Sequence, residues 1–184
     1  ILTILILTTT FSMNAQVATT STSITGTDAS AIGNSTTASG NYSTAMGLST
    51  TAQGLISTAM GQNTTASGYA STSMGQHSTA SGNYSTAMGW STTASGHFSL
   101  ATGKFAKASD FASTVIGHYN SSGSSVTDSA SSFSTSNTAF VIGNGADVSN
   151  KSDAFKVMFN GDTTISNDLT VSGDVVISSD ARLK

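Results

Sequence analysis

The chain has 184 residues, a net charge of −3 and only 8% charged residues. No lysine or arginine precedes Lys104, which excludes the clustered basic surface that nucleic-acid binding requires. Cysteine is absent, which excludes disulfide bonds and thiolate metal sites. Glutamate is absent as well, so acid–base catalysis has few groups to use. We therefore expect no enzyme activity and no cofactor.

The first sixteen residues, ILTILILTTTFSMNAQ, join an apolar run to small residues around Ala15. This pattern is typical of the end of a signal peptide. A transmembrane helix is the alternative, but the apolar part is too short to cross about 30 Å of hydrocarbon. We expect residues 1–16 to be a signal-peptide remnant, with a secreted or cell-surface chain and no stable membrane span.

Glycine recurs at every seventh residue from Gly33 to Gly103, and Asp110 takes the next position. Segments ending in AMG or AIG alternate with segments ending in ASG or AQG, so the full unit has fourteen residues. A fixed period of this kind indicates a repeat architecture. A helix is excluded because glycine costs about 1 kcal/mol per helical position relative to alanine, and disorder requires no fixed spacing.

Each half-repeat is predicted to form one short strand followed by a corner. Strand alternation places Ser43 and Ala45 on an inner face and Thr44 and Met46 on an outer face. Only small side chains fit inside so thin a coil, and glycine supplies the backbone freedom of the corner. We expect an all-β fold, a parallel β-roll or solenoid of fourteen-residue coils, over residues 17–119.

Stacked coils would align equivalent residues into rows. One outer row is apolar and is predicted to be a self-association seam: Ile32, Met46, Met60, Met74, Met88 and Ile116, with Thr102 as an exception. One set of corners collects bulky residues, which either contact a ligand or pack against a neighbouring subunit: Tyr42, Ile56, Tyr69, Tyr84 and Phe98. The histidines (His77, His97 and His118) do not follow the fourteen-residue period, so we expect surface residues rather than a metal site.

The stretch DASAIGNSTTASGNYSTAMG, residues 28–47, resembles the head repeats of trimeric autotransporter adhesins, the YadA-like head. The resemblance extends over roughly residues 24–119. It implies a left-handed β-roll in a homotrimer whose apolar faces meet at the axis, and a host or matrix ligand, glycan or protein. Thr44 and its equivalents stand where the family often has valine, which makes the implied seam more polar.

The last seven residues, SSDARLK, resemble the opening of the intramolecular chaperone domain of endosialidase-type tailspikes. That family trimerises its fibre and cleaves itself at a Ser–Asp bond, and Ser179, Asp180 and Lys184 match the motif. The resemblance implies that residues 179–184 begin a truncated chaperone domain, which in this form would cleave nothing. A chance match of a short motif is the alternative.

Residues 120–138 are predicted to be a linker, either mobile or an irregular coil, and residues 139–178 a β-rich connector. Asn160-Gly161 is a hairpin-turn signal. The expected strands are Ala139–Gly143, Ala154–Asn160, Thr163–Ser166, Leu169–Ser172 and Val175–Ser178.

The main hypothesis is a non-enzymatic trimeric fibre or adhesin head that binds or spaces. A second hypothesis is an ice-binding solenoid, because a row of threonines is predicted on the other outer face: Thr37, Thr51, Thr65, Thr79 and Thr93. A third is a phage-derived tail-fibre segment, which the terminal motif favours and the signal-like segment does not.

Overall fold

The computed structural model describes residues 21–172, which form an all-β fold with no helix in that range. The chain winds into a stack of coils, each coil contributes one strand to each of two sheets, and the strands from neighbouring coils pair in parallel. Neighbouring coils are offset by fourteen residues, as in the pairing of Thr44 with Thr58. The predicted parallel solenoid is therefore confirmed.

The first sheet, called the short-strand sheet, has seven parallel strands of two residues each. In spatial order they are β1 (Ser23–Ile24), β3 (Thr37–Ala38), β5 (Thr51–Ala52), β7 (Thr65–Ala66), β9 (Thr79–Ala80), β11 (Thr93–Ala94) and β13 (Lys107–Ala108).

The second sheet, called the long-strand sheet, has ten strands. The coils supply β2 (Ser30–Asn34), β4 (Thr44–Leu48), β6 (Thr58–Gln62), β8 (Thr72–Gln76), β10 (Thr86–Trp90), β12 (Leu100–Lys104) and β14 (Thr114–His118). Three further strands extend it: β15 (Thr138–Asn144), β16 (Asp153–Met158) and β17 (Thr163–Ile165).

The interior between the sheets is one side chain thick and consists of alanine, serine and threonine. Ala45 and Ala52, from facing strands of one coil, are both fully buried, as are Ser43 and Thr50 beside them. The alternation read from the sequence is thus correct for both half-repeats. Valine replaces alanine only near the end of the stack, at Val115 and Val141.

Glycine occupies the repeat positions for two different physical reasons. Only the first, a backbone conformation that other residues rarely adopt, agrees with the predicted role of glycine. Gly47 has a φ of +126°, a conformation that L side chains rarely adopt. Gly54 has no such φ, but a Cβ there would overlap the carbonyl oxygen of Gly68 in the next coil. The left-handed corner residue lies two positions after each glycine and is not itself glycine, as at Ser49 and Ile56.

The regular stack ends where Asp110 replaces glycine. Its buried carboxylate accepts hydrogen bonds from the backbone N–H groups of Thr127 (2.6 Å) and Thr138 (2.8 Å). The side chain of Asn120 pairs with both backbone groups of Lys107, at 2.8 and 2.9 Å, and so takes the place of a further strand at the edge of the short-strand sheet. Residues 120–137 contain no strand and close this end of the solenoid as an irregular coil.

The segment after the stack begins with β15, which pairs in parallel with β14 and places Gly143 beside Gly117. β16 then pairs antiparallel with β15, and β17 with β16, around the turn at Asn160-Gly161. The predicted hairpin is correct and three of the predicted strands match within two residues. The strand expected at Leu169–Ser172 is wrong: Leu169 is exposed and has no pairing partner among the described residues. The strand expected at Val175–Ser178 lies outside them.

Candidate functional site

In six successive coils, from Tyr42 to Phe111, one corner projects a bulky side chain, and these form a continuous row that we call the corner ridge. Tyr42, Ile56, Tyr84 and Phe98 occupy the left-handed corner position, with φ values between 58° and 60°. Where that position holds alanine, at Ala70 and Ala112, the preceding residue supplies the ring. The corner ridge therefore has one bulky member per coil: Tyr42, Ile56, Tyr69, Tyr84, Phe98 and Phe111.

The rings of the corner ridge contact one another along the stack. Tyr84 and Phe98 lie parallel with centroids 4.9 Å apart, whereas Tyr69 meets Tyr84 edge to face at 5.1 Å. Phe111 meets Phe98 edge to face at 5.4 Å and extends the row by one coil beyond the predicted residues. The spacing follows the stacking of the strands, about 4.8 Å per coil.

The backbone beneath the corner ridge is held by hydrogen bonds between coils. Ile56 N donates to Asn41 O at 2.9 Å, and Phe98 N donates to Asn83 O at 2.8 Å. The Asn83 side chain also accepts a hydrogen bond from Tyr69 N at 3.0 Å. The ridge therefore stands on a rigid support.

Four side chains of the corner ridge are exposed to solvent and belong to residues with a left-handed backbone conformation: Tyr42, Ile56, Tyr84 and Phe98. Ile56 is 49% exposed and Phe98 is 53% exposed. A left-handed conformation costs a non-glycine residue about 1–2 kcal/mol, and a β-branched residue tolerates it poorly. Folding gains little from exposed, strained and bulky residues, so their stabilising contribution does not account for their presence.

The predicted seam residues lie together on the outer face of the long-strand sheet, and we call this row the apolar strip. Ile32, Met46, Met60, Met74 and Met88 are aligned in register, followed by Thr102 and Ile116. The sequence interpretation stopped at Ile116, but Ile142 continues the strip. Met46 and Met88 are 39% and 40% exposed in the single chain.

The opposite corner carries a second aromatic cluster near the end of the stack. Phe105 lies parallel to Tyr119 at 4.6 Å and meets Trp90 edge to face at 5.0 Å. The Lys104 ammonium lies 4.8 Å from the centroid of the Trp90 ring, within the range of a cation–π contact. Sequence reasoning missed this cluster, although the fourteen-residue spacing of Phe105 and Tyr119 was the available signal.

The histidines do not converge. His77 and His118 are exposed and His97 is half-buried. Within residues 21–172, no three side chains of metal-ligating type lie close enough to hold an ion. Ser179, Asp180 and Lys184 of the chaperone-like motif lie outside the described residues.

Asp147, in the loop after β15, has a pKa that lies below the ordinary value of an aspartate. The side-chain amide of Asn150 donates to its carboxylate, as do the backbone N–H groups of Ser149 and Asn150, and these hydrogen bonds lower the pKa of Asp147. Asp147 is fully exposed and distant in sequence from the corner ridge, so we assign it to the loop's structure.

The repeats are the part of the chain that is similar to a known protein family. No curated protein and no solved structure matches the chain. No helix able to span a membrane is found in the part that the structure describes. The comparisons give no support to the resemblance of the last residues to a chaperone domain. Residues 25–50, 52–78, 66–92 and 80–106 each match the family model of the YadA head domain repeat, so this part of the chain is similar to the repeats of a YadA-like head.

Proposed function

We propose that the chain is the head module of a non-enzymatic trimeric adhesin, secreted or held at a cell surface, which binds a host or matrix ligand or spaces another module. The apolar strip is the observation that carries this proposal. The match to the YadA head repeat supports it, because that family supplies heads of trimeric autotransporter adhesins.

The apolar strip favours self-association for a geometric reason. The interior of each coil is filled by alanine, serine and threonine, so methionine has no place inside. The strip instead occupies consecutive strands of an outer face, and a contiguous apolar row on a soluble protein marks an interface. Methionine adapts its shape to such a contact. In the proposed trimer, three left-handed solenoids place these faces at a common axis.

The corner ridge is the proposed ligand-contacting surface. Most of its members are exposed and apolar or aromatic, and four of them, Tyr42, Ile56, Tyr84 and Phe98, are retained despite the strain of the left-handed backbone. Aromatic residues dominate the energetics of many interfaces because each buries a large area with little loss of conformational freedom. No covalent chemistry is required of the chain in this role, and nucleic acid is not an expected partner.

Sedimentation equilibrium of the purified chain tests the trimer. We expect about three times the monomer mass. Met60→Asp with Met74→Asp should dissociate it, because uncompensated charges are costly to bury. The matched control is Thr65→Asp with Thr79→Asp, which places the same charges on adjacent coils of the short-strand sheet. A well-folded wild-type monomer would contradict the proposal, as would equal dissociation by both pairs.

A glycan and matrix-protein binding screen tests the corner ridge. Ligands found with the wild-type chain should bind the Tyr84→Ala, Phe98→Ala variant much more weakly. The control is Trp90→Ala with Phe105→Ala, which removes two rings from the opposite corner. Binding that survives the first variant but not the second would move the ligand site to the other corner.

Ice binding remains a second candidate because Thr37, Thr51, Thr65, Thr79 and Thr93 are aligned in register along the short-strand sheet. The next position is Lys107, which ends the row. A thermal-hysteresis measurement distinguishes this candidate from an adhesin. The tail-fibre alternative depends on the motif at residues 178–184 and is tested by whether a chaperone domain follows in the encoded protein.

A further inference from the structure

A polar cleft of about 450 Å³ lies beyond the end of the solenoid, away from both the apolar strip and the corner ridge. Its lining comes from the start of the irregular coil at Ser121 and Ser122, the end of β15 with the loop that follows, strand β16, and strand β17 with the residues after it. Its volume falls within the range of ligand-binding clefts, about 300–1,000 Å³.

The walls of the cleft are held together by hydrogen bonds that engage several of its acceptors. The two carboxylate oxygens of Asp153 each accept a backbone N–H, from Ser121 and Ser122, both at 2.8 Å. Ser152 Oγ donates to Asn144 Oδ1 at 2.7 Å, and Ser166 Oγ donates to the backbone carbonyl of Asp153. Among residues 21–172, Asp153 is the one carboxylate that lines the cleft, and it is therefore already engaged in building it.

Donors, by contrast, remain in excess. Lys151 and Lys156 line the cleft, and their ammonium groups make no hydrogen bond or ion pair within residues 21–172. The amide group of Asn144 has N–H donors left over, since its oxygen takes the bond from Ser152. Thr164 and Asn167 add a hydroxyl and a second amide. Such a lining matches a ligand that is rich in acceptors and negatively charged.

The lining also restricts the kind of anion. No aromatic side chain from the described residues lines the cleft, so these residues offer no stacking surface for a nucleobase. Its volume exceeds that of a lone inorganic ion, and the hydroxyl and amide groups beside the two lysines suit the hydroxyls of a sugar. We propose that this cleft binds an anionic saccharide, one that carries a carboxylate or a sulfate group, with Lys151 and Lys156 contacting the acid.

Isothermal titration of the full chain with four probes tests the proposal: digalacturonate, galactose-6-sulfate, lactose and sodium sulfate. We expect at least one of the two acidic sugars to bind, and neutral lactose to bind at least about tenfold more weakly. Lys151→Gln and Lys156→Gln should each weaken the acidic sugar about tenfold, as expected for the loss of one charge-assisted hydrogen bond.

Lys107→Gln is the matched control, because it removes the same charge outside the cleft and should leave the affinity unchanged. The proposal is overturned if neither acidic sugar binds, if lactose binds equally well, or if Lys107→Gln weakens binding as much as the cleft variants. Free sulfate binding as tightly as the sulfated sugar would overturn the saccharide assignment. Circular dichroism of each variant confirms folding, and the outcome is independent of whether the chain is a trimer.

Discussion

The interior hydroxyls of the solenoid allow a prediction of opposite sign at two equivalent positions. Thr50 and Thr92 occupy the same place in coils three repeats apart, and both are fully buried. Thr92 Oγ1 donates to Ser78 Oγ at 2.8 Å, whereas Thr50 Oγ1 has no hydrogen-bond partner among the described residues. Valine at position 92 therefore removes a hydrogen bond, whereas valine at position 50 removes a buried hydroxyl that has no partner among the described residues.

The expected magnitudes follow from these contacts. A buried hydroxyl without a partner costs about 1–3 kcal/mol in protein mutational data. Thr50→Val exchanges that hydroxyl for a methyl group of similar size, so we expect the free energy of unfolding to rise by about 1 kcal/mol. Thr92→Val instead removes a hydrogen bond that contributes about 0.5–1.5 kcal/mol, and the free energy of unfolding should fall.

Urea unfolding followed by circular dichroism measures both effects. The protein concentration must be held constant, since the apparent stability of an oligomer depends on it. The midpoint should shift up for Thr50→Val and down for Thr92→Val, with an unchanged dependence on urea. If Thr50→Val destabilises the protein as much as Thr92→Val does, the hydroxyl of Thr50 has a partner and the reasoning is refuted.

Three further predictions concern the corners and the loops. Gly54→Ala should lower the free energy of unfolding by about 3 kcal/mol or more, because the added Cβ would overlap the backbone of the next coil. Gly161 has a φ of +95° but open space around it, so Gly161→Ala should lower the free energy of unfolding by only about 1–2 kcal/mol. Urea unfolding measures both changes. Asp110→Asn should lower the free energy of unfolding by about 2 kcal/mol and speed amide exchange in the irregular coil, since an amide offers one acceptor where the carboxylate offers two. Asn150→Ala should raise the pKa of Asp147 towards its ordinary value, as followed by NMR titration. Because the folded pKa is lowered, the carboxylate contributes stability above the unfolded pKa and loses it as pH falls through the folded one. Equal effects of the two glycine changes, unaltered exchange, or an unmoved pKa would each contradict its prediction.

The fold could be predicted because the sequence carries two periodicities, the two-residue alternation of a strand and the fourteen-residue repeat of the coils. The alternation within Ser43–Gly47 assigns an inner and an outer face, and the fourteen-residue repeat assigns the neighbour of every residue in the stack. Once both are known, the apolar strip and the corner ridge follow as rows. The interior of alanine, serine and threonine follows as well, because only small side chains fit between the two sheets along most of the stack.

The end of the stack was harder to predict because it breaks the period. The sequence FVIG at Phe140–Gly143 resembles TVIG at Thr114–Gly117, and the structure pairs these segments. The intervening irregular coil moves the second segment out of the fourteen-residue frame, so a search at fixed spacing assigns it to a separate connector. The roles of Asp110 and Asn120 were also hidden, since they depend on backbone groups that are distant in sequence.

The corner residues share one left-handed backbone conformation although their side chains differ. From Tyr42 to Tyr119, each left-handed corner residue donates its backbone N–H to a carbonyl of the preceding coil, as Ile56 does to Asn41 and Ser91 does to Gln76. The stack therefore imposes the corner conformation through the main chain, whatever side chain is attached. Glycine or asparagine would suit that conformation best, yet aromatic residues follow one corner of the coils. Since the main chain sets the fold at these positions, the exposed side chain can vary from coil to coil without changing the fold.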